Sequence, residues 1–323
     1  MTIKRFRLVT QHLAFAVLTY GGHFKISLGS AIPCLSCPFI GSCGGGCYLM
    51  AFQRAMSWLF LPLFQLIDGA GSWEQVWQTF SYFLSGFGIF VIVVILFGKS
   101  WCGWLCPFGL LQDWMTRLRQ ALKLREAELS NRHKRVVSKL KYVLLAYLIA
   151  MPVMVSLGWL PRDFVLAFCN ICPAKPLMPI FVGDFHHLGI TANGDARSIF
   201  SILLMIITGG MVAGMFFKER FFCLLCPMMA LINLLKPFYL LKVVKEPEAC
   251  QGCGNCRRGC CMDNETSYRE RIKPNVYDPD CSGCFNCAES CASDGSLAVK
   301  FGPFKIFSSS RRYAAKLFAK VKP

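Results

Sequence analysis

Two runs of cysteines near the end of the chain constrain its fold more than any other feature. Both have the spacing C-x2-C-x2-C-x3-C, at Cys250, Cys253, Cys256 and Cys260 and again at Cys281, Cys284, Cys287 and Cys291. Three cysteines at this spacing can hold one [4Fe–4S] cluster from a single loop, and the fourth crosses to the other cluster. A zinc ribbon would leave half of these thiols unused. The pattern therefore predicts cluster 1 on Cys250, Cys253, Cys256 and Cys291, and cluster 2 on Cys281, Cys284, Cys287 and Cys260.

The composition indicates a membrane protein. The 323 residues are 54% hydrophobic, with a mean hydropathy of +0.45 and a formal net charge of +17. Such a charge could suggest nucleic acid, but the basic residues flank apolar segments, which favours membrane topology over nucleic-acid binding. The start of the chain does not resemble a cleavable signal peptide, so most of the 19 cysteines are interpreted as metal ligands and not as disulfides.

Four segments are predicted to span the membrane. Residues 79–97, 142–160 and 198–217 are apolar and long enough to cross a bilayer, and residues 8–24 form a weaker candidate. Basic residues precede the first span, separate the second from the third and follow the fourth, which puts these regions and both termini on the cytoplasmic side. If residues 48–67 also crossed the membrane, the basic loop between spans two and three would lie on the outer side. These residues are therefore predicted to form an outer interfacial or re-entrant helix.

Cysteine pairs accompany the predicted spans and indicate two half-repeats. Two inner motifs each follow a span, Cys102-x3-Cys106-Pro107 and Cys223-x2-Cys226-Pro227. These four thiols could complete one further [4Fe–4S] cluster; small buried cysteines or a redox-active dithiol are the alternatives. A proline after the last cysteine suits a helix start, where the dipole is expected to lower the thiol pKa.

The outer motifs could hold a cluster by the same logic. Their thiols are those of Cys34, Cys37, Cys169 and Cys172. A disulfide is the competing interpretation, because this side of the membrane can be oxidising. Cys43 and Cys47 could replace one of the outer pairs, form a disulfide or contact a partner.

The chain combines span-linked Cys-Pro motifs, the first within WCGWLCPFGLLQD at 101–113, with the two-cluster run. This combination resembles the NapH/MauN-type membrane ferredoxins, and more distantly NosR-like and CcoG-like proteins. The resemblance covers roughly residues 79–300. It implies an electron carrier of the prokaryotic cytoplasmic membrane that exchanges electrons between the quinone pool and a partner redox protein. The chain departs from the family pattern in its C-x2-C-P motif at Cys223, in the absence of proline after Cys260 and Cys291, and in its outer cysteines. Cys261 could also compete with Cys260 as a ligand.

The predicted architecture is an α-helical membrane protein. A four-span bundle of two half-repeats (1–239) precedes a small cytoplasmic α+β ferredoxin domain with two [4Fe–4S] clusters (240–303) and a basic amphipathic tail (304–323). His12 and His23 are candidate contacts for a quinone or a haem.

The predicted function is electron transfer, without catalysis by the chain itself. The expected partners are membrane lipid, redox proteins and a quinol. An assembly factor that reduces a metal or a thiol is the alternative, and a thiol–disulfide oxidoreductase is disfavoured because it needs no clusters.

Overall fold

Helices make up most of the described chain, and a small sheet follows them. The computed structural model describes residues 3–21, 32–33, 35–37, 47–69, 71–127, 129–183, 185, 196–270, 272 and 274–318. The helices are α1 (Ile3–Tyr20), α2 (Tyr48–Ile67), α3 (Trp73–Phe97), α4 (Ser100–Trp104), α5 (Pro107–Ala121), α6 (Asn131–Ser156), α7 (Ala167–Ile171), α8 (Ala174–Leu177), α9 (Ala196–Phe217), α10 (Phe221–Leu225), α11 (Pro227–Leu234), α12 (Asn255–Arg258), α13 (Thr266–Arg269), α14 (Asn286–Ser290) and α15 (Arg311–Phe318).

Two helices, α3 and α6, are long and apolar enough to cross a membrane. Helix α3 begins at Ser72, whose hydroxyl accepts a hydrogen bond from the backbone N–H of Gln75. It ends at Gly98, which has a positive φ of 55° that a residue with a side chain rarely adopts. These helices contain most of the predicted spans 79–97 and 142–160. Helices α1 and α9 lie where the other two spans were predicted, with an apolar stretch at Ile202–Phe217, and the count of four spans stays a prediction.

Helix α2 has the bounds predicted for the outer interfacial helix, and it packs along α3 and α6. Tyr48 stacks on Phe90 with a ring separation of 4.0 Å, and Phe52, one turn later, contacts the rings of Phe83 and Phe87. Successive turns of α2 therefore meet earlier turns of α3, so the two helices run antiparallel. An antiparallel partner of α3 fits a span as well as a re-entrant helix, so the outer interfacial or re-entrant form of α2 stays a prediction.

A broken helix follows α6. Its two parts, Phe164–Ile171 and Ala174–Val182, are bent by 73° and together pass as one broken span or a re-entrant loop. The break lies at Cys172 and Pro173, because proline cannot supply the N–H that a continuous helix requires. The second outer cysteine motif therefore lies at the bend of this broken helix.

The C-terminal part contains a three-stranded antiparallel sheet in the order β1 (Leu241–Lys245), β2 (Leu297–Phe301), β3 (Phe304–Ser308). Leu241 pairs with Phe301, and Phe301 with Phe304. The first residues of the predicted tail, Phe304–Ser308, form β3 and extend the sheet, and helix α15 begins at Arg311. Residues 240–308 are called the ferredoxin domain below.

Basic residues of the helical part contact the ferredoxin domain. Lys99 Nζ donates to the carbonyls of Asp278 and Pro279 at 2.7 and 2.8 Å. Lys134 Nζ donates to the Met262 carbonyl at 2.8 Å. The start of α1 docks there too, since the backbone N–H groups of Ile3 and Lys4 donate to the Glu289 carboxylate. The basic segments that sequence bias puts on one side therefore meet on one face of the molecule.

Lys141 forms another of these contacts. Its side chain has no exposed surface, and its ammonium group pairs with Asp280, which also accepts from the Ser138 hydroxyl. Lys141→Ala should lower the free energy of unfolding by about 2 kcal/mol, because a buried, charge-assisted hydrogen bond is lost. Thermal unfolding of the detergent-purified protein measures this. Lys139→Ala, at an exposed position of the same helix, is the control and should change stability by less than about 0.5 kcal/mol.

Candidate metal centres

The two cysteine runs of the ferredoxin domain fold into matching loops. Gly252 and Gly283 occupy the same place in each run and have φ of 70° and 68°. Two residues later, Gly254 and Phe285 have φ of 75° and 59°. A short helix then starts in each loop, α12 or α14. The repeated spacing thus produces a repeated backbone, as two equivalent cluster loops require.

The fourth cysteine of each run lies beside the other run. Burial raises the pKa of Cys281 to about 12, and the sulfur of Cys260 adds to this rise. Burial also raises the pKa of Cys256 to about 11, with a contribution from Cys291. Because such effects weaken with distance, these contributions indicate that Cys260 lies near Cys281 and Cys291 near Cys256. The complete ligand sets of clusters 1 and 2 stay predictions.

Cys261 lies beside a candidate ligand of cluster 2. Its sulfur is 3.5 Å from the sulfur of Cys284 and 3.5 Å from the hydroxyl of Ser282. Ligands of one cube bind different irons, and two thiolates at this separation would repel each other. The hydrogen bond to Cys284 and burial both raise the pKa of Cys261. The geometry therefore suits a neutral Cys261 thiol that donates to Cys284, and leaves Cys260 as the crossing ligand.

The four inner cysteines line one cavity. Its volume is about 350 Å³, and apolar side chains make up much of the remaining wall. Within the described ranges, no three His, Cys, Asp or Glu side chains surround a point closely enough for a single metal ion. Four thiolates are the number of ligands that one [4Fe–4S] cluster takes. The thiols that line the cavity are those of Cys102, Cys106, Cys223 and Cys226.

Helix starts position two of these thiols. Cys106 and Cys226 precede α5 and α11, with nearly identical backbone angles (φ −66°, ψ 115° and φ −65°, ψ 119°) and a proline at the first helical position. The expected lowering of the thiol pKa does not occur. Burial raises the pKa of both, and the backbone N–H groups offset it only in part. Metal ligation favours the thiolate form and would oppose this effect of burial.

A buried ion pair joins the segments that carry the inner cysteines. Arg220 has no exposed surface and donates to both carboxylate oxygens of Asp113 at 2.9 and 2.7 Å. Burial alone would raise the pKa of Asp113, but Arg220 lowers it below its usual range. Arg220 also donates to the Cys102 carbonyl at 3.2 Å. The pair thus fixes the Cys102 loop against the residues just before Cys223.

The inner cysteine loop packs directly on the second ferredoxin loop. A Cβ on Gly103 would lie 2.7 Å from the Ser282 carbonyl oxygen and 3.0 Å from the Cys284 nitrogen. Trp104 Nε1 donates to the Gly283 carbonyl at 3.1 Å. The inner cavity and cluster 2 are therefore neighbours across a contact that only glycine permits.

A second cavity contains four more cysteines. It measures about 340 Å³ and is lined by Cys37, Cys47, Cys169 and Cys172. Three of the four belong to the predicted outer set, whereas Cys34 lies outside the described residues. Among the described cysteines none forms a disulfide. Cys47 thus occupies the cavity that was predicted to include Cys34.

A repeat that relates the two cavities was missed in the sequence. Residues 43–53 read CGGGCYLMAFQ and residues 102–112 read CGWLCPFGLLQ, so both have the form C-G-x2-C-x5-Q. The glutamines at the ends of these segments are buried and reach the cavities. Matching this pattern would have identified Cys47, Gln53 and Gln112 before the structure.

Of the two candidate histidines, the structure describes His12. Nδ1 of His12 lies 2.7 Å from the carbonyl oxygen of Leu8. Nε2 of the same ring accepts a hydrogen bond from Trp114 Nε1 at 3.3 Å. Both ring nitrogens are thus engaged, which disfavours haem ligation. His23 lies outside the described residues, and a quinone contact at either residue stays a prediction.

Comparison with protein families identifies iron–sulfur segments. Residues 81–125 and 200–243 match a 4Fe-4S binding domain. These segments contain the two inner cysteine pairs, each after an apolar helix, and not the run at residues 250–291. The match supports [4Fe–4S] binding by this chain.

Three curated relatives cover parts of the chain. It is 27% identical over 175 residues to "Putative electron transport protein YccM" of Escherichia coli (strain K12), covering 53% of this chain and 43% of that protein. It is 27% identical to MJ0750 and 25% to MJ0749, both uncharacterized proteins of Methanocaldococcus jannaschii, over 54% of this chain and 63% and 56% of theirs. The chain spans about half the length of the curated relatives it matches. No solved structure matches it.

Gly103→Ala should separate the inner loop from cluster 2, because the added Cβ would overlap backbone atoms that cannot rotate away. We expect unchanged iron content but a weaker magnetic interaction between reduced clusters, measured by EPR spectroscopy. Gly210→Ala, where a Cβ meets no atom within 4 Å, should leave the spectrum unchanged. An equal spectrum for all three proteins would contradict the direct contact.

Cys261→Ala should shift the potential of cluster 2 without loss of iron. A hydrogen bond to a ligand sulfur stabilises the reduced cluster, and losing about 1 kcal/mol corresponds to a fall of about 40 mV for one electron. Redox titration followed by EPR spectroscopy measures this shift. Loss of iron in this variant would instead identify Cys261 as a ligand.

Proposed function

We propose that this protein is a membrane-bound iron–sulfur electron carrier. It passes electrons between the quinone pool or an outer-face redox protein and a cytoplasmic partner, through the inner site and the two ferredoxin clusters. The observation that carries this proposal is the packing of the Cys102–Cys106 loop on the Cys281–Cys287 loop, through Gly103 and Trp104. Sites in such contact suit electron transfer between them.

The comparisons support the inner site and the type of function. The matched 4Fe-4S binding domain coincides with both inner cysteine pairs, and the relative YccM carries a name that refers to electron transport. Because the chain spans only about half of its relatives, its place in a larger redox system is part of the proposal.

The membrane orientation follows from charge. Lys99, Lys134 and Lys141 contact the ferredoxin domain, and basic residues remain on the cytoplasmic side of membrane helices. These contacts support a cytoplasmic position, in a prokaryotic cell, for the ferredoxin domain and the start of α1. Within the bundle, Arg220, Gln112 and the apolar cavity wall hold the thiols in place and exclude water.

Each bound cluster supplies one-electron redox chemistry without bond rearrangement. The residues of the chain set its position, hydrogen bonding and exposure. Cys253 is exposed and is flanked by the exposed Arg257 and Arg258. Cluster 1 is thus the end of the relay that a soluble partner can reach, and a partner with an acidic surface suits it.

A groove between α2 and α3 supports the quinone option. It is open at the surface and has an aromatic lining together with Arg54, which suits a ring with polar carbonyl groups. Its aromatic residues are Tyr48, Phe52, Trp58, Tyr82, Phe83 and Phe87.

The alternative, a factor that reduces a metal or thiol of another enzyme, would use the same inner relay with a different partner. Direct exchange with a partner's thiols is less suited to the outer cysteines. Cys37, Cys169 and Cys172 are buried, and thiol–disulfide exchange requires access to the attacking sulfur.

Iron analysis tests the inner site. Cys226→Ser should lower the iron content of anaerobically purified protein by about four per chain, the content of one cube. The ferredoxin EPR signals should remain. Cys261→Ser, also a buried cysteine but not a proposed ligand, should keep the full iron content. Equal iron in Cys226→Ser and the unaltered protein would remove the inner cluster and the proposed relay.

A further inference from the structure

The two four-cysteine cavities share a hydrogen-bonding pattern as well as a size. At the inner cavity, Gln112 Nε2 donates to the Cys223 sulfur at 3.5 Å, and its Oε1 accepts from the Phe222 N–H at 3.1 Å. At the outer cavity, Gln53 Nε2 contacts the Cys169 sulfur at 3.8 Å, and its Oε1 accepts from the Phe168 N–H at 3.4 Å. Each glutamine thus links a cysteine to the residue before it in the same way.

The same backbone elements carry these groups. Phe168-Cys169-x2-Cys172-Pro173 corresponds to Phe222-Cys223-x2-Cys226-Pro227. In both cases a five-residue helix, α7 or α10, contains the first cysteine and ends at the second. Cys172 has φ −78° and ψ 121°, close to φ −65° and ψ 119° at Cys226. Apart from Cys37, the cysteines and the glutamine described at the outer cavity therefore repeat those of the inner one.

The surroundings of the outer cavity suit a buried anionic group. Phe168, Leu49 and Ala174 form part of its apolar wall. Tyr48, next to Cys47, stacks on Phe90 of the apolar helix α3, which places the site among the membrane helices. A cluster with four thiolates has a net negative charge, and Lys175 also lines the cavity and offsets part of it.

The two cavities are neighbours. Leu35 lines both of them, Pro33 lines the inner one and Cys37 the outer one. Leu35 therefore lies between the two sites. A cofactor in the outer cavity would lie next to one in the inner cavity.

We propose that the outer cavity binds a further [4Fe–4S] cluster through Cys37, Cys47, Cys169 and Cys172. This proposal rests on the inner cluster of the proposed function and extends its relay toward the outer face. A cluster held by these cysteines would supply one-electron redox chemistry: one electron would pass between the outer and inner sites, and no bond would form or break. An outer-face redox protein could replace that electron singly, whereas a quinol would supply its two electrons in two successive turnovers and release two protons.

Cys169→Ser is the primary test, with Cys223→Ser at the equivalent inner position as the matched variant. Each should lose about four irons and four sulfides per chain, and the double variant about eight. Unchanged iron in Cys169→Ser together with loss in Cys223→Ser would overturn the outer cluster alone. Unchanged iron in both would overturn the proposed function as well.

Gln53→Leu keeps the test valid if Cys169→Ser does not fold. It should retain all iron but shift one midpoint potential downward in a redox titration, because a hydrogen bond to one cluster is lost. The same titration of Gln112→Leu should shift a different signal. Absence of any shift in Gln53→Leu would contradict a cluster beside this side chain.

A separate comparison of two variants tests Cys37 as the fourth ligand of the outer cluster. Cys37→Ser should lose the outer cluster, whereas Cys43→Ser, the residue that matches Cys102 in the sequence repeat, should retain it. Iron and sulfide analysis of both variants measures this. Loss in Cys43→Ser with retention in Cys37→Ser would overturn the assignment of Cys37.

Discussion

The buried ion pair of Asp113 with Arg220 is the contact on which the rest of the arrangement depends. The inner cysteines come from segments more than one hundred residues apart in the chain, and a cluster requires all four thiols in fixed positions. Arg220 binds Asp113 through two nitrogens and the Cys102 carbonyl through a third. Arg7 of α1 also approaches Asp113, at 3.5 Å. One carboxylate thus fixes three segments around the cavity, and both of its partners are buried cations that would be costly to leave unpaired.

The same glutamine hydrogen-bonding arrangement occurs at both cavities. Gln53 and Gln112 both connect a short cysteine-bearing helix to the element that supplies the other thiols. An amide can donate and accept at once, so it can hold a backbone N–H and still present its N–H to a sulfur. A purely apolar residue at this place would leave the N–H before the cysteine unsatisfied, at a cost of about 1–3 kcal/mol.

Local patterns in the sequence predicted local structure well. The Cys-Pro motifs predicted helix starts at Cys106 and Cys226, because proline is favoured at the first helical position, and residues 48–67 form one helix with the expected bounds. The repeat could have identified Cys47, but the meeting of α2 with the broken helix, which brings Cys47 to Cys169 and Cys172, is a long-range contact that local patterns do not predict. The thiol pKa at Cys106 was also wrong in direction, because burial is a tertiary property that a helix start does not reveal.

Charge compensation connects all four sites. Each has a nearby cation that favours thiolate: Lys245 near Cys256, Lys99 near Cys281, Arg220 near Cys223 and Lys175 near Cys169. Burial disfavours the charged form of such a cation, and it lowers the pKa of Lys99 to about 8. Three of these cations are almost fully buried, which is favourable only if an opposite charge lies beside them. Arg220 has such a partner in Asp113, and clusters held by the cysteines would place further negative charge beside all four cations. Part of the net charge of +17 would then be an internal counterpart of the clusters and not a surface for an acidic ligand.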